Sequence, residues 1–378
     1  MLEIYLPCLL IILLLHYAVF LFIILSGLKK LNYTVSQEIR SEFISIIIPF
    51  RNESGNILKS LESLTALDYP KNKFEVIYIN DSSDDDSLNK LSSAVKPGNV
   101  KVISVPQSFS LNAHKKRAVR FGIKNSTGDI IFTTDADCIH QPDWLKNMMH
   151  CFEENTGFVS GPVEFYDKKS IWGSIQKTEF AGLILAGAGL IGSNRPIICN
   201  AANIAYRRSA YEAVSGFSGN MNLSSGDDEF LMQKIWKETS CKVKFCLNRE
   251  TVVKTGSNET IGQFYHQRKR WASKGLFYAD KLLVVKLILI FLFYLSLVIL
   301  PFLAVFISIK YFLIFALSII IKFFLEYKIL STGSRILFSK EILKNFFLAE
   351  LLQVPYIIIA GLSGIFGNFT WKDRKVKR

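Results

Sequence analysis

The chain has 378 residues, half of them hydrophobic, and a formal net charge of +13. Its mean hydropathy of +0.26 excludes an ordinary soluble protein, and the length allows one large domain or two. The positive charge fits the cytoplasmic flanks of membrane segments. No helix-turn-helix or RNA-binding signature accompanies it, so nucleic acid is not an expected partner.

In chain order, Leu6 to Leu28 is nearly all apolar and long enough to span a bilayer at about 1.5 Å per residue. Glu3 precedes this run, and Lys29 and Lys30 come directly after it. A signal peptide would begin with positive charge and end in a cleavage site. The pattern predicts an uncleaved anchor over 1–30, with the next domain on the cytoplasmic side. Six scattered Cys with no CxxC pair argue against zinc and for reduced thiols; a Cys241–Cys246 disulfide is the alternative.

A soluble region is expected over 41–280. Phe43-Ile-Ser-Ile-Ile-Ile-Pro49 has a buried-strand pattern, and Asn56 to Leu67 is helix-like. Phe74 to Asn80 reads as a second strand and Val100 to Val105 as a third. Lys115 to Asn125 is helical, and Asp129 to Thr133 is a fourth strand. Strands alternating with helices predict a mainly parallel, doubly wound α/β sheet. Such sheets bind ligands beyond the carboxyl ends of their strands, where Arg51, Asp81, Asp135 and Asp137 fall.

From Leu282 to Leu325 the chain is apolar for too long to be one span, which predicts a helical hairpin. Its turn falls at Pro301 or near Lys310, and the second choice leaves a short second helix. Glu326 to Asn345 is mixed in character, as an interfacial segment would be. Phe346 to Phe366 is a further span, interrupted by Pro355 and several Gly, so that 281–370 forms a membrane region. The tail over 371–378 is strongly basic and is expected inside. Three full crossings after a cytoplasmic domain would leave it outside. One segment is therefore expected to be re-entrant or interfacial, unless a further crossing is present.

Several clusters carry candidate chemistry. Asp135-Ala-Asp137 places two carboxylates at a strand end, within reach of one hard divalent cation, Mg²⁺ or Mn²⁺. A solvated Asp turn is the alternative. Asp81 closes the second strand, either as a nucleobase ligand or as part of an Asx turn. Asp227, Asp228 and Glu229 stand at a helix start, where capping explains them; crowding would also raise a carboxyl pKa towards that of a base. Lys115 to Arg120 reads as a solvated basic helix face, with Lys115 near phosphate. Gln267-Arg-Lys-Arg-Trp271 combines cations with an aromatic just before the membrane region. It is either an interfacial belt or a diphosphate clamp beside a sugar-stacking ring.

Taken in order, these pieces resemble the family 2 inverting glycosyltransferases. The similarity is to the membrane-bound branch that includes cellulose, hyaluronan and poly-N-acetylglucosamine synthases and ceramide glucosyltransferase. It covers Phe43 to Trp271 and rests on Ile46-Ile-Ile-Pro49-Phe-Arg-Asn-Glu53, Asn80-Asp-Ser-Ser-Asp-Asp85, Gly128 to Asp137, Cys199 to Arg207, Gly226-Asp-Asp228 and Gln267 to Trp271. The resemblance implies a GT-A-type, Rossmann-like nucleotide-sugar domain, one N-terminal membrane helix and two to four C-terminal ones. It implies that Pro49, Arg51, Glu53 and Asp81 line a nucleotide pocket. Asp135 would contact the nucleotide, and Asp137 with Asp135 would serve the metal. Asp228 is implied as catalytic base. Lys115, Gln267, Arg268 and Arg270 would hold diphosphate, with Trp271 and Asp227 at the acceptor.

The sequence departs from the family pattern at Asn80, where Asp is usual, at His114 and Ala201, where Gly is usual, and at Asp227, where Glu is usual. Ala201 bears on the acceptor pocket. The implied reaction transfers sugar from a UDP-sugar donor to a lipid or lipid-linked acceptor at the cytoplasmic membrane face. A processive polysaccharide synthase is the first alternative, and the short C-terminal membrane part argues against its translocation channel. A non-catalytic scaffold with a degenerate transferase fold is the second. A transporter is disfavoured because the apolar segments hold few paired charges.

Overall fold

The computed structural model describes residues 2–33, 42–109, 114–166, 170–219, 226, 228–366, 369–371 and 374–376. The first elements are α1 (Leu2–Lys30), β1 (Ile44–Phe50), α2 (Ile57–Thr65), β2 (Phe74–Asn80), α3 (Ser87–Ser93), β3 (Val100–Ser104), α4 (His114–Lys124) and β4 (Ile130–Thr133). Next come α5 (Trp144–Met149), β5 (Thr156–Ser160), β6 (Val163–Phe165), α6 (Ile171–Gly192), β7 (Ile204–Arg207), α7 (Arg208–Ala213), α8 (Glu229–Glu238), β8 (Lys242–Phe245) and β9 (Val253–Thr255). The last helices are α9 (Ile261–Ser273), α10 (Lys281–Phe306), α11 (Lys310–Ile336) and α12 (Phe346–Phe366).

The four predicted strands are all present, each within a residue or two of its expected ends. They form one half of a seven-stranded sheet in the order β3-β2-β1-β4-β7-β5-β8. β1, β2, β3 and β4 run parallel, whereas β7 is antiparallel to both its neighbours. The apolar runs of β1 and β2 are buried on both faces, as central parallel strands require. A short parallel pair, β6 with β9, lies beside the main sheet. The carboxyl ends of β1, β2 and β4 all open to one side, and the site is built there.

His140 lies just past the β4 turn and is buried. Its Nε2 is 2.9 Å from Thr134 Oγ1, and its ring lies 4.4 Å from that of Trp144. Burial holds its pKa down to about 3, against roughly 6.5 in an unfolded chain. The unfolded state therefore binds the extra proton between those values, and stability falls as pH falls through that window. Thermal scans from pH 7 to pH 4 are expected to show a shallower loss for His140→Phe than for the parent. Equal slopes would show that another group controls acid sensitivity.

A layer of long helices packs against the sheet domain. α1 crosses α6 so closely that a Cβ on Gly27 would sit 1.8 Å from Gly189 O, and one on Gly189 would sit 2.3 Å from Ile24 O. Small residues at such a crossing let two backbones touch. Among the described residues, three helices are long and apolar enough to cross a membrane: Tyr5–Lys30, Lys281–Phe306 and Phe346–Gly364.

The C-terminal region differs from expectation in three ways. The hairpin turn falls at residues 307–309, beside Lys310 as one of the two choices expected and with Pro301 inside α10, but the second helix runs 27 residues instead of being short. Glu326 to Ile336 continues α11 and is not a separate interfacial stretch. Its first charge is drawn into the bundle, where Glu326 accepts from Tyr17 (2.6 Å) and lies 3.1 Å from Lys322. α12 passes through Pro355 as one helix. All six cysteines are free. Cys241 and Cys246 flank strand β8, and five extended residues place them roughly 16 Å apart, too far for a disulfide.

Candidate active site

Beyond the ends of β1, β2 and β4 lies a cavity of about 620 Å³. β1 and the loop after it supply Pro49, Arg51 and Glu53; the residue after β2 is Asp81; the turn after β4 supplies Asp135 and Asp137. Lys115 comes from α4, Asp228 from the start of α8, and Gln267, Arg270 and Trp271 from α9. Thus all the expected site residues gather in one place except Arg268 and Asp227. Asp227 lies outside the described residues.

The strand-end side of the cavity is held by cross-strand contacts. Arg51 donates to Asp81 O (3.2 Å) and Ser82 O and pairs with Asp84. Asp81 is buried and pairs with Arg117. Asn52 (φ +53°) and Ser82 (φ +57°) both sit in the left-handed region at these strand ends. For Ser82, strain of about 1 kcal/mol is a cost found where a site fixes the backbone. The Asn80 departure has a local use: its Oδ1 accepts from Ser83 N (2.9 Å) and its Nδ2 donates to Ser104 Oγ (3.3 Å). An ionised Asp could only accept at this position, from the Ser104 hydroxyl.

The helix α4 is not a solvated basic face. Lys115 pairs with Asp135 at 2.6 Å, Lys116 is buried 5.5 Å from the centre of the Phe230 ring, and Arg117 faces Asp81. Three successive cations are thus turned inward by carboxylates and an aromatic ring from other elements. The two β4-end carboxylates open on the same cavity, and Asp137 Oδ2 accepts from Thr255 Oγ1 (3.1 Å) on β9.

Asp228 has the capping role weighed for it and also lines the cavity. It is the N-cap of α8, with Oδ1 accepting from Glu229 N (2.8 Å), and its Oδ2 accepts from Ala201 N (2.9 Å). Two backbone N–H groups fix its rotamer, and each oxygen keeps a further lone pair. The Ala201 contact is made by its backbone N–H, which the usual Gly would also supply. Behind it, burial pushes the Glu229 carboxyl up; Lys274 pulls it down and the Asp228 charge adds to the rise. Glu229 Oε2 lies 2.8 Å from Lys274 Nζ and accepts from Tyr278 OH (2.7 Å). Burial, more than the neighbouring carboxylate, therefore raises Glu229. Lys274, Tyr278 and Leu287 also line the cavity, and sequence reasoning did not single them out.

Arg268 corrects an expectation. It is buried and turned away from the cavity, paired with Glu179 of α6 and sandwiched 4.4 Å from the Phe264 ring and 4.3 Å from the Trp271 ring. On a helix, residues 267, 270 and 271 share one face, and residue 268 lies about 100° from residue 267.

Residues 45–215 match the glycosyl transferase family 2 model, and the chain carries a glycosyltransferase domain of that family with a GT-A fold. Among curated proteins it is similar to the poly-beta-1,6-N-acetyl-D-glucosamine synthase of Staphylococcus epidermidis, 27% identical over 255 residues. The match covers 65% of this chain and 58% of that protein, so the chain spans little more than half of that relative's length. Over 113 residues it is 34% identical to the dolichyl N-acetyl-alpha-D-glucosaminyl phosphate 3-beta-D-2,3-diacetamido-2,3-dideoxy-beta-D-glucuronosyltransferase of Methanococcus voltae. That match covers 29% of this chain and 34% of that protein. Among solved structures, the mannosyltransferase PcManGT from Pyrobaculum calidifontis, in complex with GDP-Man and Mn²⁺, superposes with a TM-score of 0.60. The identity is 17%, covering 95% of this chain and 98% of that one.

Proposed function

We propose that the protein is a membrane-bound inverting glycosyltransferase. It transfers a sugar from a nucleotide-sugar donor, a UDP-sugar in our reading, to a lipid or lipid-linked acceptor at the cytoplasmic membrane face. The observation that carries this reading is the cavity's lining. It includes Asp81 and Arg51 at the strand ends, Asp228, Trp271, and Leu287 on the apolar helix α10. A donor held at the strand ends and an acceptor arriving from the bilayer would share this one cavity with Asp228.

Arg51, Lys115, Gln267 and Arg270 would hold the donor's diphosphate, with Trp271 against the acceptor sugar. Asp135 and Asp137 fit a hard divalent cation, Mg²⁺ or Mn²⁺. Both open on the cavity, and among the described residues no cluster of three or more His, Cys, Asp or Glu offers a closed protein cage. Two carboxylates with substrate phosphates are the usual setting for such ions. When bound, the cation would stabilise charge on the departing diphosphate. Asp228 takes the proton from the attacking acceptor hydroxyl, so inversion needs no covalent enzyme intermediate.

α12 runs alongside α9. The Phe264 and Tyr356 rings are 5.2 Å apart, and Gly364 lies against Ala272 and Ser273. A membrane-embedded α12 on the catalytic side would keep the basic tail over 371–378 inside, as its charge favours.

The test is nucleoside diphosphate release from a panel of UDP- and GDP-sugars with Mn²⁺, with and without membrane lipid extract. Lipid-stimulated release with a glycolipid product is the expected result. Polymer formed from nucleotide sugar alone would favour a polysaccharide synthase, a reading the staphylococcal similarity keeps open. Chelation with EDTA is expected to lower turnover about 100-fold, with recovery on adding Mn²⁺. Asp137→Ala should show the same deficit but no recovery. Undiminished turnover in EDTA would sink the metal assignment.

A further inference from the structure

Outside the cavity, buried charged groups form a path from the helical layer to the back of α9. Glu179 on α6 and Arg268 on α9 are nearly inaccessible and pair with each other. Glu179 Oε1 accepts from Arg268 Nε (3.1 Å) and also from Tyr356 OH of α12 (2.6 Å). Arg268 in turn touches two residues that line the cavity. It donates to Gln267 Oε1 and lies against the Trp271 ring. One turn before Tyr356, Gln353 accepts from the fully buried Lys322 of α11 (2.7 Å). Burying ions in an apolar helical layer is costly. A bidentate carboxylate fork also fixes a guanidinium in direction as well as in place.

We propose that Glu179 and Tyr356 are positioning residues: through Arg268 they set the orientation of Gln267 and Trp271, and so tie the diphosphate grip of the site to helix α12. This rests on reading Gln267 and Arg270 as diphosphate ligands. Loss of the Tyr356 hydroxyl leaves Glu179 short of one donor, and loss of the Glu179 charge leaves Arg268 buried without its counter-ion. Either change lets Arg268 shift, and Gln267 and Trp271 move with it. Groups at the strand ends, which hold the nucleoside, are untouched.

The test uses the full chain in detergent micelles with Tyr356→Phe, which removes one hydroxyl, and Glu179→Gln, which removes one charge at nearly constant shape. Each is titrated with UDP and UMP, and separately with GDP and GMP, in the presence of Mn²⁺. Diphosphate affinity is expected to fall about threefold for Tyr356→Phe and about tenfold or more for Glu179→Gln, with monophosphate affinity within twofold of the parent. Unchanged diphosphate affinity in both variants would overturn the proposal. So would an equal loss for mono- and diphosphate, which would mark a general loss of structure. A parent protein that fails to prefer diphosphate over monophosphate in either series would overturn the underlying reading of the cavity, and the proposal with it.

Discussion

Asp228→Asn is expected to lower sugar transfer by about 10²- to 10⁴-fold, the usual contribution of a general base, while leaving nucleotide binding near its parent value. The side chain lines the same cavity as the strand-end carboxylates and Trp271, where an acceptor hydroxyl would approach. Asn keeps the size but cannot take the proton. The substitution has a structural cost that must be separated from the catalytic one. Asp228 accepts one backbone N–H on each oxygen, and Asn has a single acceptor oxygen. Either Glu229 N or Ala201 N then loses its partner, at about 1–2 kcal/mol. A thermal scan reads that cost, and nucleoside diphosphate release at saturating donor reads the chemistry. A variant that keeps a third of the parent rate would show that the base lies elsewhere, with Asp228 acting only as a helix cap.

Much of the site was legible because strand ends are legible. A run such as Phe74 to Asn80 ends where its first Asp begins, and parallel strands bring those ends together. What sequence could not show is which charge meets which. Arg268 and Arg270 stand two apart in one basic cluster, yet Glu179, 89 residues earlier, draws the first away from the cavity. The α4 cations read as solvated because their partners Asp81 and Asp135 lie on other elements. α6 passed unnoticed since it is buried on nearly every side, polar residues included, and so has no amphipathic stripe. Glu326, the first charge after Leu325, suggests a helix leaving the membrane, but it accepts from Tyr17 of α1 and lies 3.1 Å from Lys322 of its own helix. Pairing across the fold turned an apparent boundary into the middle of a helix.

The same pairing predicts the largest stability effect. Lys322→Met is expected to destabilise the helical layer by about 3–5 kcal/mol, seen as a fall in thermal midpoint on the order of 10 °C. Lys322 is fully buried, pairs with Glu350, lies 3.1 Å from Glu326 and donates to Gln353 (2.7 Å). Methionine fills a similar volume but strands two carboxylates without their cation. The cost therefore belongs to the unpaired acids more than to the lost lysine. Lys322→Met combined with Glu350→Gln should recover at least half of the loss, because a buried pair can be exchanged for neutral groups far more cheaply than it can be broken. Glu326 still has the Tyr17 hydroxyl as a donor at 2.6 Å, so it is the acid better able to remain. If the double variant is as unstable as the sum of the two single ones, the two side chains are not energetically coupled. Lys322 would then act through packing against Tyr294 and Phe323, whose ring centres lie 5.6 Å and 5.5 Å from its Nζ.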